Sequence, residues 1–185
     1  MKTREEKYFK YLTTRSKLSL FLRRLMYTSV IKEFKGKLLD VGCGIGEFLQ
    51  WYPNSFGIDT NRFLVKYCKE RGINCIYGSI YKIPFKKSMF DTVLCSHLME
   101  HLSKPDMAMK EIRRVLKKAG KLIIIVPTEK GYKRDKTHVK FWDKENIGKL
   151  LEKHGFKIKK LTYYPKLLNK YTVLGELRIV AVKTR

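Results

Sequence analysis

Acid is what this sequence is short of. Seventeen Asp and Glu stand against 41 Lys and Arg, leaving a formal net charge of +24. A field of that sign disfavours basic partners and favours polyanions such as RNA, or an anionic surface, although lysine-rich usage also serves solubility. Paired cysteines are missing too. Cys43, Cys68, Cys75 and Cys95 include no C-x-x-C spacing, which excludes a ribbon-type zinc site and a dithiol redox motif. They read as reduced thiols. No apolar run approaches the ~20 residues of a bilayer-spanning helix, and the opening MKTREEKYFKY lacks the apolar centre of a signal peptide. No transmembrane segment is expected, and the expected location is cytoplasmic. Only five prolines occur, and no repeat or Gly/Ser-rich linker divides the 185 residues. A single domain around one core is the expectation.

What is present is alternating periodicity. From Lys17 to Phe34, apolar Leu18, Phe21, Leu22, Leu25 and Met26 fall at helical spacing with Arg23 and Arg24 on the other side. This predicts an amphipathic helix packed on the core, with a membrane-surface helix as the alternative. The aromatic segment Tyr8, Phe9, Tyr11 precedes it, so residues 1–35 form a helical cap on a core of residues 36–185. Strands are predicted at Lys37–Val41, Ser55–Asp59, Ile73–Tyr77, Phe90–Cys95 and Lys121–Val126. Helices are predicted after Gly46, over Arg62–Arg71, from Pro105 to a stop at Gly120, and over Lys144–Lys153 behind the N-cap Asp143. Two last strands, Phe156–Tyr163 and Tyr171–Val182, are expected to pair antiparallel at the sheet edge. Alternating strands and helices imply an α/β fold with a doubly wound, mostly parallel, seven-stranded sheet. Its ligands bind at the carboxyl ends of the strands, where Gly42, Asp59, Gly78 and Cys95 converge.

The stretch LLDVGCGIGEF, Leu38 to Phe48, places glycines at alternating positions directly behind the first strand. A dinucleotide turn would need a third glycine where Glu47 stands, and a carboxylate there opposes a pyrophosphate at the helix N-terminus. NAD and FAD are therefore disfavoured. D-V-G-C-G-I-G instead resembles the first motif of the class I S-adenosylmethionine-dependent methyltransferases, of the type 11 methyltransferase domain family. FGIDTN, YGSIYKIPF, FDTVLCSHLMEHL and EIRRVLKKAGKLIIIVP resemble further motifs of that family in the same order, from about Leu38 to Phe156.

The resemblance implies a Rossmann-like fold, S-adenosyl-L-methionine as cofactor, S-adenosyl-L-homocysteine as product, and methyl transfer by in-line displacement. It sets Asp40 near the cofactor's ammonium group and the backbone of Gly42, Cys43, Gly44 and Gly46 against its methionine and ribose portions. Asp59 would take both ribose hydroxyls, since one carboxylate can accept both. Thr60 and Ile80 would flank the adenine, Ser79 stands where the family usually has an acid, and Cys95 and Ser96 close the cofactor side. Ala119 replaces the first glycine of a later turn.

Histidine is the natural base for an acceptor that must lose a proton near neutral pH. His138, in THVKFWDKENI, resembles the family's acceptor-pocket element, with Phe141, Trp142 and Tyr132 as substrate-binding walls; the alternative is that His138 and Trp142 anchor a loop. His97 is the second catalytic candidate. His101 reads as scaffold and His154 as a favourable helix C-terminal charge. No metal ligand set is read. Lys130, Lys133, Arg134, Lys136 and Lys140 suit an anionic acceptor or a solvated loop. The expected function is methylation of a small or conjugated, anionic metabolite. A tRNA or rRNA methyltransferase docking through the basic surface is the alternative, and a non-catalytic binding subunit is the alternative of another class. Acceptor atom and oligomeric state stay open.

Overall fold

The alternating periods become strands and helices in the computed structural model, which describes residues 3–164 and 175–184. Two helices, α1 (Arg4–Thr13) and α2 (Lys17–Ile31), precede β1 (Leu38–Val41), α3 (Glu47–Trp51), β2 (Ser55–Asp59), α4 (Arg62–Glu70) and β3 (Cys75–Tyr77). There follow β4 (Phe90–Ser96), a 3-10 turn at Met99–His101, α5 (Pro105–Val115), β5 (Leu116–Pro127) and α6 (Glu129–Arg134). The chain closes with α7 (Lys144–Lys153), β6 (Phe156–Tyr164) and β7 (Glu176–Lys183). The seven strands form one sheet in the order β3-β2-β1-β4-β5-β7-β6.

β1 pairs parallel with both β2 and β4, while β7 inserts antiparallel between β5 and β6. The sheet is thus doubly wound and Rossmann-like, with the antiparallel pair at its edge and β6 outermost. Residues 171–174, which the sequence assigns to the last strand, lie outside the described residues. Side chains on the central strands alternate between two cores, as the period of two requires. Val93, Cys95, Leu122, Ile124 and Val126 face the larger core with α5 and α7, while Leu94, Ile123 and Ile125 face Tyr27, Phe34 and Phe48. Between β1 and β4 the winding reverses, which opens a crevice at their carboxyl ends.

Within the cap, Thr3 and Glu6 form a capping box that starts α1. Two elements differ from the sequence reading. The apolar face of α2 does not pack on the core as expected. Leu18, Phe21, Leu22 and Leu25 are half or more exposed, and the helix docks instead through Tyr27 and Val30 near its end. The helix from Pro105 stops at Val115 rather than Gly120. Its last carbonyls find partners outside the helix, from the backbone N–H groups of Ser88 and Met89 and from Lys183 Nζ, which donates to Arg113 and Leu116. Residues 116–120 become a bulged lead into β5, because Phe90 pairs with Leu116 and Thr92 with Lys121. Among the described residues no helix is long and apolar enough to cross a membrane.

The bulge explains the glycine that Ala119 replaces. Ala119 has φ of 57°, a left-handed conformation that costs an L-residue roughly 1–2 kcal/mol and glycine almost nothing. Against the extra unfolded-state freedom of glycine, Ala119→Gly should raise unfolding free energy by about 0.5–1 kcal/mol. Urea titration checks it, and a destabilised variant would refute the strain.

Candidate active site

The crevice at the β1/β4 reversal widens into a cleft of about 1300 Å³. Its floor is made by the strand ends, with Val41, Gly42, Asp59 and His97. One wall comes from the cap helices, with Tyr8, Tyr11, Leu18, Leu22, Met26 and Tyr27. The opposite wall comes from the 3-10 turn and the segment after β5, with Glu100, His101, Asp135, Thr137 and His138.

On the cofactor side, Gly42 turns the chain out of β1 with φ of 74°, and a Cβ there would lie 3.2 Å from Leu98. Asp59, at the end of β2, braces this turn. Its Oδ2 accepts from Gly44 N at 2.9 Å and its Oδ1 from Asn61 N at 2.8 Å. Each oxygen keeps a lone pair for a further donor. Burial raises the Asp59 pKa above the ordinary carboxylate range, partly offset by those backbone N–H groups. Asp40 lies on the opposite face of β1 from Leu39 and Val41, only 2% exposed, and its Oδ1 has no partner. Burial first, then the charges of Asp59 and Glu47, push its pKa well up. A buried carboxyl with an orphaned oxygen, beside a second one with spare lone pairs, fits a ligand that brings an ammonium and a diol. Residues 40–59 therefore suit S-adenosylmethionine.

Thr60, Ser79 and Ile80 also line the cleft, and Ser79 Oγ accepts from Tyr81 N at 3.2 Å. Cys43 turns its thiol away, 3.2 Å from Cys75 Sγ and against Gly57, so only its backbone remains for the turn. Asp40, Gly44, Gly46 and Ser96 stand outside the lining as well. Cys95 is a correction: its side chain is fully buried in the larger core, because β4 alternation points it away from the crevice.

The opposite wall is built by a loop tied to the 3-10 turn. Val139 N and Lys140 N donate to Glu100 O, and the Trp142 indole donates to Met99 O at 2.9 Å. Trp142 is 2% exposed and in the core, which corrects its assignment as a pocket wall and makes it the loop's anchor. Tyr132 and Phe141 are not cleft walls either. Tyr132 stacks on the His138 ring at 5.2 Å, and Phe141 packs on Tyr132 at 5.4 Å. They back His138, which does line the cleft. The basic residues of the same segment stay outside it: Lys133 pairs with Glu129, and Lys140 lies over Trp142.

His97 sits on the floor with φ of 51°. Its Nε2 is 3.0 Å from Glu176 Oε1 and 3.3 Å from Tyr27 Oη, and its Nδ1 is 3.5 Å from Glu100 Oε1. Burial opposes the imidazolium, but its side chain is 38% exposed, and the two carboxylates prevail, raising its pKa to about 9. A ring held protonated has no lone pair for an acceptor's proton. Glu100 and Glu176, both buried, went unnoticed in the sequence. An acid in a helical or strand pattern gives no sign that it will be buried.

Three comparisons bear on this site. Residues 39–124 match the profile of the methyltransferase domain family. An uncharacterized protein of Methanocaldococcus jannaschii is 32% identical over 69% of this chain and 68% of its own length. A tRNA (carboxymethyluridine(34)-5-O)-methyltransferase of Arabidopsis thaliana is 30% identical over 60% of this chain, yet the match spans only 27% of that protein. In structure, a SAM-dependent methyltransferase from Thermotoga maritima superposes with a TM-score of 0.79 at 22% identity, covering 97% of both chains.

The cap is held over the cofactor side by Glu47, whose carboxylate takes a fork from Arg23 at 2.9 Å and a 3.5 Å contact from Arg15. Charge-assisted bonds that are partly buried contribute about 1–3 kcal/mol. Arg23→Gln should raise amide exchange across α1 and α2 by roughly 5- to 100-fold while β1, β4 and β5 exchange as before. Uniform exchange in both proteins would show that the cap is held elsewhere.

Proposed function

The chain belongs to the methyltransferase domain family and is an S-adenosylmethionine-dependent methyltransferase, and on that premise we propose that its acceptor is a small, anionic metabolite taken up beneath the cap. The observation that carries this reading is the size and lining of the cleft. At about 1300 Å³ it exceeds the roughly 300–1,000 Å³ typical of a single-ligand pocket, leaving room for an acceptor beside a cofactor. The cap wall joins apolar Leu18, Leu22 and Met26 to cationic Arg4 and Lys7, a combination suited to an anionic head on an apolar body.

The cofactor supplies a methyl group already activated on a sulfonium, so the chain's work is to hold, align and exclude water. In this reading Asp59 binds the ribose hydroxyls, the glycine turn and Asp40 receive the amino-acid end, and Thr60, Ser79 and Ile80 receive the adenine. The acceptor lies towards His101 and His138. His97, clamped between Glu100 and Glu176, orients the floor and takes no proton.

A second reading has its own support. The net charge of +24 and the named activity of the Arabidopsis relative favour tRNA as acceptor. Incubation with labelled cofactor and either bulk tRNA or a small-molecule extract separates them. Label in tRNA, with an affinity falling steeply with salt, would replace the small-molecule reading.

Two variants test the assignment of residues. Asp59→Ala should weaken cofactor binding by about 2–4 kcal/mol, roughly 30- to 1,000-fold, by removing two hydrogen bonds to a charged acceptor. Calorimetry on a folded variant with unchanged affinity would remove Asp59 from the site. The paired change Arg4→Gln and Lys7→Gln should raise the acceptor's KM about 3- to 30-fold at low salt, shrinking at high salt, with cofactor affinity unaltered. A KM that ignores both the change and the salt would make the acceptor neutral.

A further inference from the structure

Glu100 is 1% exposed, and neither carboxylate oxygen has a hydrogen-bond partner. Its contact with His97, 3.5 Å from Nδ1 to Oε1, is too long to satisfy a buried carboxylate. The protonated His97 supplies charge on one side at that distance, and both buried oxygens still lack a hydrogen-bond donor. Beside it stand two imidazoles. One donor atom each from Glu100, His101 and His138 lie within 4.8 Å of one another, and all three residues line the cleft.

The backbone fixes how those imidazoles are protonated. His138 Nδ1 lies 2.7 Å from Tyr132 O, and His101 Nδ1 lies 3.2 Å from Thr137 O. A carbonyl only accepts, so the His138 Nδ1 carries the hydrogen and that ring's lone pair is on Nε2; the His101 Nδ1 meets both the Thr137 carbonyl and, at 3.3 Å, the Thr137 hydroxyl, which can accept from it in the same tautomer. Metal-bound histidines are oriented in this way, by giving their other N–H to a carbonyl or carboxylate. The rings are 4.8 Å apart and tilted by 58°, so they do not stack face to face.

We propose that Glu100, His101 and His138 form a divalent transition-metal site in the acceptor wall of the cleft. Two imidazoles and a carboxylate without thiolate suit Zn²⁺, Mn²⁺, Fe²⁺ or Co²⁺. Ligands at about 2.0–2.2 Å from one ion stand roughly 3–3.5 Å apart, so closure from the present spacing needs only side-chain adjustment. Asp135, with Oδ2 4.0 Å from His138 Nε2, stands at the rim. Three protein ligands leave positions open to the cleft, where they fit an oxygen acceptor: a hydroxyl or enol beside a second oxygen that can chelate. There the ion lowers the hydroxyl's pKa and fixes its direction. The acceptor's proton goes to water, its oxygen lone pair forms the bond to the methyl carbon, and the electron pair of the breaking carbon–sulfur bond stays on sulfur. This use of the ion rests on the methyltransferase reading, whereas the ion's binding does not.

The test uses the untagged full chain, stripped with EDTA, and Co²⁺ as the probe. Visible absorption and calorimetry should report about one equivalent bound. His101→Asn and His138→Asn should each weaken Co²⁺ binding by at least ~100-fold, while His154→Asn, at the end of α7, should bind as the parent does. Both test positions are only partly buried, and circular dichroism verifies that each variant folds. Calorimetry with S-adenosylmethionine should give the same affinity in every variant. No stoichiometric Co²⁺ binding, or binding indifferent to His101 and His138, overturns the site. Absent cofactor binding beside normal Co²⁺ binding would instead strike the assignment of the cofactor residues and leave the metal site standing.

Discussion

A carboxylate taken out of water must be met by donors or by charge, and Glu176, 5% exposed at the start of β7, is met from three directions. Tyr27 of α2 donates its hydroxyl at 2.6 Å, His97 after β4 comes to 3.0 Å, and Arg178 donates Nε at 2.9 Å. Burial alone would raise the Glu176 pKa. His97 and Arg178 outweigh it and hold it at about 2. Arg178 also donates to Met26 O and to Ser29 Oγ, so the same pair fastens α2 to the sheet. Removing Arg178 or His97 would leave buried charge less compensated, the costly way to break such a network.

The placement of the cap follows from that knot. Because α2 is fixed at Tyr27 and near its C-terminal end, its earlier apolar residues are free to line the cleft instead of filling the core. The position of His97 follows as well. A histidine in the left-handed region carries local strain, which two carboxylates and a tyrosine hold in place at the winding reversal. The histidine nearest the strand ends is thereby spent on structure, which leaves His101 and His138 as the imidazoles free to meet a ligand in the proposed reading.

Much of this was readable in the sequence. The strand bounds at Ser55–Asp59 and the helix at Lys144–Lys153 matched because turn residues and caps act locally: Asn61 caps α4 and Asp143 caps α7 through their own side chains. The glycine turn was legible for the same reason. What escaped depends on tertiary partners. Nothing local distinguishes Glu100 from a surface acid, and the rim of the acceptor wall exists only because Val139 and Lys140 bond to the Glu100 carbonyl. Trp142 was misread since an aromatic beside a histidine suggests a pocket, whereas a buried indole needs an acceptor, and Met99 O supplies it. The apolar stripe of α2 was misread because a stripe reports that apolar surface is gathered, not what it faces.

The two halves of the cleft make opposite electrostatic demands, and the fold keeps them apart. Asp40 and Asp59 place two buried carboxyls under the glycine turn, where burial pushes both pKa values upward and disfavours their ionised forms. A cation arriving there relieves that desolvation. On the other side stand the imidazoles of His101 and His138, while Arg4 and Lys7 come from α1, whose Glu5 carbonyl is bonded to Asn61 beside Asp59. On the proposed reading, the cationic donor is drawn to the carboxyls under the glycine turn and the acceptor is left the wall of His101 and His138, so the two partners are ordered across the floor. In-line displacement needs that order, because a donor bound in the acceptor's half has no nucleophile behind its methyl carbon. His97 stands between the halves, held protonated, and separates the acids of the floor from whatever the acceptor wall binds.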